Sequence, residues 1–255
     1  LNLDYPPSTK PTWSLVLHET LAFMAAALLH PFGMRRRPQP RTPRVREQRT
    51  VVLVHGYCCN PSVFMPMAAY LRHRGIRQVI PFAYPSTHGV ERGAIALRGF
   101  LQQHVRGGSV DLVCHSLGGL VARSYIQELG GARRIEQCIT LGTPHRGTYN
   151  AYWLASRVGR ELRPDSLLLR RLRESRAAGD AVRFLSIIGG VDNLVIPRIF
   201  AAHENEVYFP DLGHMAMLFS PAVWRLVSGA LLAEDVAPDY PQTLPAALLH
   251  PAPLG

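Results

Sequence analysis

The segment Cys114-His115-Ser116-Leu117-Gly118-Gly119 stands at a seam. The apolar run Val110–Cys114 ends there, and the helical periodicity of Leu117–Leu129 begins at once. A serine at such a seam sits on a sharp strand-to-helix turn, which leaves room only for small residues two positions before and two after it. Gly118 meets that requirement, and Cys114, larger but still small, stands where a glycine is usual. The helix that opens behind Ser116 turns the positive end of its dipole and its first N–H groups toward the serine. A strand that feeds a helix directly is the unit of a parallel sheet, so the choice of architecture narrows at the outset.

Short apolar runs alternate with helical patterns on both sides of this seam. Val51–His55, Ile76–Phe82, Val110–Cys114, Ile135–Leu141, Val182–Ile188 and Glu206–Phe209 read as strands. Pro61–Arg74, Gly89–Val105 and Leu117–Leu129 read as helices, and Met215–Leu232 as one or two more. Gly75 is a natural helix-ending residue after Arg74. Continuous apolar strands separated by helices imply an α/β fold, with a mostly parallel central sheet covered by helices on both faces. A chain of 255 residues buries enough surface for such a core without disulfides or metal. Cys58, Cys59, Cys114 and Cys138 show neither zinc-site spacing nor a disulfide framework. The expected organisation is an N-terminal apolar helix with an Arg/Pro-rich linker (1–49), a catalytic domain (50–235) carrying a small lid-like insert (148–181), and a Pro-rich tail (236–255).

The formal charge of +10 comes almost wholly from arginine, since Lys10 is the only lysine. The arginines are scattered and do not interleave with aromatics, which argues against a nucleic-acid groove. Three of them, Arg35, Arg36 and Arg37, follow an apolar stretch in which Trp13, Leu17, Leu21, Met24 and Leu28 recur at helical spacing. The stripe fits a helix laid either on the domain's own surface or on a membrane surface. No A-x-A-like cleavage site marks it as a signal peptide. Every proposed site residue lies after Thr50, so residues 1–49 are expected to be dispensable for the catalytic machinery.

Three further segments bear chemistry. His55-Gly56-Tyr57 ends the first strand, where a backbone N–H can stand beside the serine. The N–H groups of Tyr57 and Leu117 are the expected oxyanion donors, and His55 is expected to hold the loop. Asp192 follows the fifth strand, within reach of a histidine behind the serine; Asp165, Asp180 and Asp211 are its rivals. His214 lies in a loop after the last strand, with His203 as its main rival. Ser116, Asp192 and His214 thus follow one another in the chain as candidate nucleophile, acid and base. His115 and His145, with Tyr149 and Trp153 of the insert, are candidate substrate contacts.

LVHGY, CHSLGG, LGTPHRGT, GGVDNLVIP and LGHMAML together resemble the bacterial triacylglycerol lipase and esterase branch of the α/β hydrolases, over roughly Val51 to Leu232. The resemblance implies a Ser-His-Asp triad of Ser116, His214 and Asp192, an acyl-enzyme intermediate and no cofactor. It implies an ester or lipid substrate, with short to medium acyl chains as the first expectation. A thioesterase, amidase, acyltransferase or polyester hydrolase would use the same machinery, and a catalytically silent lipid-binding module is the alternative from another class. Cys114 departs from the usual elbow glycine and leaves the subfamily open.

Overall fold

A computed structural model describes residues 7–34, 49–105, 107–196 and 205–233. Arg35–Arg37, His203 and the tail 236–255 lie outside the described residues. The first element, α1 (Thr12–Met34), precedes strand β1 (Thr50–Val54). Helix α2 (Met65–His73), β2 (Val79–Phe82), α3 (Val90–His104) and β3 (Val110–His115) follow. Next come α4 (Leu117–Glu128), β4 (Ile135–Leu141), α5 (Arg157–Leu162), α6 (Leu167–Glu174) and β5 (Arg183–Gly189). The last are β6 (Glu206–Phe209), α7 (Ala216–Phe219) and α8 (Pro221–Leu232).

Among the described residues the six strands are parallel, in the order β2-β1-β3-β4-β5-β6. The order reverses between β1 and β3, and a crevice opens beyond the carboxyl ends of strands at such a switch point. The chain leaves β1 into His55-Gly56-Tyr57 and leaves β3 into Ser116, so both segments flank that crevice.

The pleat explains the near-continuous apolar runs. Val52 and Val54 face one core layer, shared with Leu97 of α3, Leu120 of α4 and Leu168 of α6. Val51 and Leu53 face the other, shared with Leu71 of α2, Met217 of α7 and Val227 of α8. Both faces are covered, so no strand position needs a polar residue for solvent.

The second strand is shorter than its apolar run. Gly75 takes φ +92°, its N–H donates to the Arg72 carbonyl (3.0 Å), and the Ile76 N–H donates to the Leu71 carbonyl (3.1 Å). This pair of bonds is a Schellman ending, which uses Ile76 to close α2 and delays pairing with β1 to Val79.

The N-terminal helix turns a different face to the domain from the one its periodicity suggests. Trp13, Leu17, Leu21, Met24 and Leu28 are 48–74% exposed. Ala22 and Ala26 are the buried positions and join the core of α2, α7 and α8. α1 is apolar nearly all round, so hydrophobicity does not select a face. Small side chains allow close approach, and the domain takes the small face.

Candidate active site

Ser116 has φ +53° and ψ −123°, a conformation that L residues avoid, and its carbonyl accepts from Thr143 Oγ1 (2.9 Å). The strain follows from close packing under the turn. A Cβ on Gly118 would stand 2.4 Å from the Val54 carbonyl oxygen, and one on Gly56 would stand 3.0 Å from Ser116 Cβ. Cys114 is fully buried in the core layer with Cys138 and Leu117, so its sulfur fits where a glycine is usual.

Asp192 and His214 meet although 22 residues separate them. His214 Nδ1–H donates to Asp192 Oδ2 (2.7 Å), and both side chains are buried. Asp192 Oδ1 accepts from the Leu194 and Val195 N–H groups, both at 2.9 Å. Burial alone would push the Asp192 carboxyl up. The His214 ring and the two backbone donors outweigh it and hold the carboxyl below its ordinary value. An ionised Asp192 keeps the proton on Nδ1 and leaves Nε2 as the basic nitrogen.

His115 and His55 support the site from within. The His115 ring lies 4.7 Å from the His214 ring, and its Nε2–H donates to the His214 carbonyl (3.1 Å). Burial, followed by the neighbouring His214, lowers its pKa to about 3, so it is a neutral donor. His55 stacks on Tyr84 at 4.5 Å, and its Nδ1–H donates to the Gly56 carbonyl (3.0 Å). Burial lowers its pKa to about 4. Tyr84 Oη donates to the His55 carbonyl (2.8 Å), and the Cys58 N–H donates to Ser86 Oγ (3.1 Å), so the loop carrying Tyr57 is tied at both ends.

Ser116, His115, Tyr57 and His214 line one cavity of about 600 Å³, within the range of small-molecule sites. Its walls are mostly apolar and include Ala151, Leu154, Leu162 and Val195. Leu117 is buried behind Ser116 at the first position of α4, where a helix N–H has no intrahelical acceptor.

Three expected substrate contacts stand elsewhere. His145 is buried in a polar chain: Arg123 Nη1 lies 3.3 Å from its Nδ1, Thr140 Oγ1 lies 3.0 Å from its Nε2, and Arg123 also donates to its carbonyl. Those bonds fix the TPHRG turn to α4 and draw the ring away from the cavity. Tyr149 (56% exposed) and Trp153 (89% exposed) point to solvent, while Thr148, Asn150, Ala151 and Leu154 of the same segment form the wall. The rivals of Asp192 also have other partners: Asp211 accepts from Ser8 Oγ (2.6 Å), and Asp165 accepts from Tyr152 Oη (2.9 Å).

The insert is a wall more than a lid. Thr148 Oγ1 donates to the Leu194 carbonyl (2.8 Å), and the Tyr149 N–H donates to the Ile196 carbonyl (2.7 Å). Its first turn is thereby stitched to the loop that carries Asp192. Leu168, Leu169 and Leu172 of α6 are buried in the core.

Sequence reasoning missed the fourth side of the cavity. Phe23, Ala26, Ala27, His30 and Pro31 of α1 line it, so the boundary expected at Thr50 cuts through the site. Asn60 Nδ2 donates to the His30 carbonyl (2.8 Å), and Gly33 leaves the space that the Asn60 side chain occupies. The available signal was composition: Ala22, Ala25-Ala26-Ala27 and Gly33 are small residues set among the large apolar ones of the second half of the helix.

The model of the palmitoyl protein thioesterase family matches residues 50–180, more than half of the chain. This chain belongs to the palmitoyl protein thioesterase family. The matched segment contains His55-Gly56-Tyr57 and the Ser116 elbow, and Asp192 and His214 lie beyond it. No curated protein matches the sequence. Solved structures similar in fold include the Bacillus licheniformis lipase BlEst2 in mature form, at 17% identity and TM-score 0.57, over 76% of this chain and 94% of that one. The propeptide form of that lipase aligns at 16% identity and TM-score 0.62, over 81% of this chain and 55% of that one. The product of gene lin2722 from Listeria innocua aligns at 14% identity and TM-score 0.56, over 75% of this chain and 96% of that one. The likeness to these structures is one of fold: this member of the palmitoyl protein thioesterase family has the α/β-hydrolase fold.

Proposed function

We propose that this chain is a serine acyl hydrolase that cleaves carboxylic esters of short to medium acyl chain, with Ser116 as nucleophile, His214 as base and Asp192 as orienting acid. The observation that carries the reading is the lining of one apolar cavity by both Ser116, on its strained turn, and His214, bonded to Asp192 at 2.7 Å. In this mechanism His214 Nε2 takes the Ser116 proton as Oγ attacks the acyl carbonyl. Asp192 stabilises the imidazolium, and the oxyanion accepts from the Leu117 and Tyr57 N–H groups. The alcohol leaves with the proton from His214, and water, activated by the same histidine, releases the acid from the acyl-enzyme. No step calls for a cofactor. The family match favours a second substrate class, the acyl thioester, which the same steps cleave with a thiol as leaving group.

The exposed outer face of α1 belongs to this reading. Trp13, Leu21 and Leu28 stand out from a helix whose inner edge lines the cavity. A lipid surface meeting that face would lie beside the acyl site, and Arg35–Arg37, next in sequence, suit anionic headgroups.

Labelling with a fluorophosphonate, then turnover of p-nitrophenyl esters, acyl-CoA thioesters and anilides, tests the proposal. Wild type labels at Ser116 and turns over esters. Ser116→Ala labels nowhere and loses about 10⁴-fold or more of kcat with the fold intact. Retention of more than a small fraction of turnover by clean Ser116→Ala enzyme would sink the assignment, and absence of labelling in wild type would favour the silent lipid-binding module.

A further inference from the structure

Glu19 is the only acidic residue of α1, an otherwise largely apolar helix. Its carboxylate accepts from two consecutive backbone donors, the Met215 N–H (2.8 Å) and the Ala216 N–H (3.0 Å). These are the two residues that follow His214. Residue 213, on the other side of His214, is a glycine, and a Cβ there would stand 2.3 Å from Glu19 Oε2. The His214 carbonyl is held independently by His115 Nε2 (3.1 Å). The backbone on both sides of His214 is therefore shaped around one carboxylate from a helix that begins more than two hundred residues earlier.

We infer that Glu19 is a positioning residue: it fixes the Gly213–Ala216 turn so that the His214 ring is presented to Ser116 and Asp192, and docking of α1 thereby completes the catalytic geometry as well as the cavity wall. The inference rests on His214 being the base, as proposed above. The chemistry suits the task. An ionised carboxylate has two acceptor oxygens, so one side chain satisfies both N–H groups at the start of α7, and charge-assisted bonds of this kind are the stronger ones. The His115 bond holds the His214 carbonyl and the Leu218 N–H holds the Met215 carbonyl (3.1 Å), which leaves the Met215 and Ala216 N–H groups to Glu19; displacing a base by about 1 Å can cost on the order of 100-fold in rate.

The test compares wild type with Glu19→Ala, Glu19→Gln and the double variant Ser8→Ala/Lys10→Ala. The double variant removes a separate attachment of the N-terminal segment, through Asp211, without touching the His214 turn. Two quantities are read: kcat and KM on a short soluble ester, p-nitrophenyl butyrate, and the low-field proton resonance of His214 Nδ1–H, assigned by its loss in Asp192→Asn. Glu19→Ala is expected to lower kcat by roughly 100-fold with KM little changed, and to lose or shift the resonance. Glu19→Gln, which keeps one acceptor oxygen, should fall between. The double variant should lower the melting temperature while keeping kcat and the resonance. Should Glu19→Ala fail to fold, Glu19→Gln decides by the same two readouts. Normal kcat with an unmoved resonance in the folded Glu19 variants would overturn the inference, as would an equal loss of kcat in the double variant. The resonance is read whatever the substrate, and wild type that fails to label at Ser116 would instead mark failure of the triad reading.

Discussion

Two buried histidines beneath Ser116 make the site sensitive to acid. His55 and His115 have pKa values near 4 and 3, against an ordinary 6.5. Between those values the unfolded chain takes up protons that the folded chain refuses, so stability falls as pH drops from about 6.5 toward 4 and below. Each histidine contributes a slope of up to about 1.4 kcal/mol per pH unit. Asp192 adds a loss of the same sign at lower pH: its depressed carboxyl stabilises the fold above the ordinary carboxylate value, and that contribution goes as pH falls through the folded value. Urea unfolding at pH 7 and pH 5 should show a clear drop in midpoint. His55→Asn, whose amide can still donate to the Gly56 carbonyl but does not titrate, should show a shallower drop. A midpoint that is flat between pH 7 and 5 in wild type would contradict neutral burial of the two rings.

At the scale of elements, α1 changes most between expectation and structure. Residues 1–49 look dispensable when site residues are sought only among nucleophiles, acids and bases. In the structure α1 contributes Phe23, Ala26, Ala27, His30 and Pro31 to the cavity wall and Glu19 to the His214 turn. Arg49, the last residue of the expected linker, also belongs to the domain, since it donates to Asp111 Oδ1 (2.9 Å) and to the Leu231 carbonyl (2.9 Å). Deletion of residues 1–34 should therefore lower kcat on soluble esters by about 100-fold or more, through loss of Glu19 and one wall. It should also bare Ala216 and Met215, at a cost in solubility. Full activity in a folded, soluble deletion variant, measured on p-nitrophenyl butyrate, would show that the domain closes the site without α1.

The whole molecule has a polarity that its composition only hints at. Large apolar side chains of α1 (Trp13, Leu17, Met24, Leu28) are exposed, as is Trp153 of the insert, and the formal charge is +10. Leaving such side chains in water forgoes roughly 1.5–3 kcal/mol each. α1 is long and apolar enough to cross a membrane by length and composition, from Thr12 to Gly33. Its Glu19, Ala22 and Ala26 contacts instead hold its inner face on the domain. Sedimentation with anionic vesicles should carry wild type down at low salt and less at high salt, since exposed charges are screened beyond about 10 Å at 0.1 M. Trp13→Ala/Leu17→Ala/Leu28→Ala should stay in the supernatant with kcat on soluble esters unchanged. Equal binding by this triple variant would place the lipid-facing surface elsewhere.

The sequence by itself determined the local features. Chain-neighbour sterics and period-two or period-3.6 patterning decide a strand, a helix and the turn between them, so β3, the Ser116 elbow, α4, the Gly75 helix ending and the parallel sheet were all legible. The order of Ser116, Asp192 and His214 was legible too, because a parallel sheet brings the loops at its carboxyl edge together whatever their spacing in the chain. Only the tertiary structure decided which way the side chains around that edge face. His145 turns inward because Arg123, 22 residues earlier, supplies its partners. Trp153 turns outward because Ala151 and Leu154 take the wall. Helix α1 offers apolar residues on every side, so no periodicity could choose its inner face. That choice fell to close packing at Ala22 and Ala26 and to two backbone N–H groups at Met215 and Ala216 that Glu19 satisfies, contacts between residues almost two hundred positions apart.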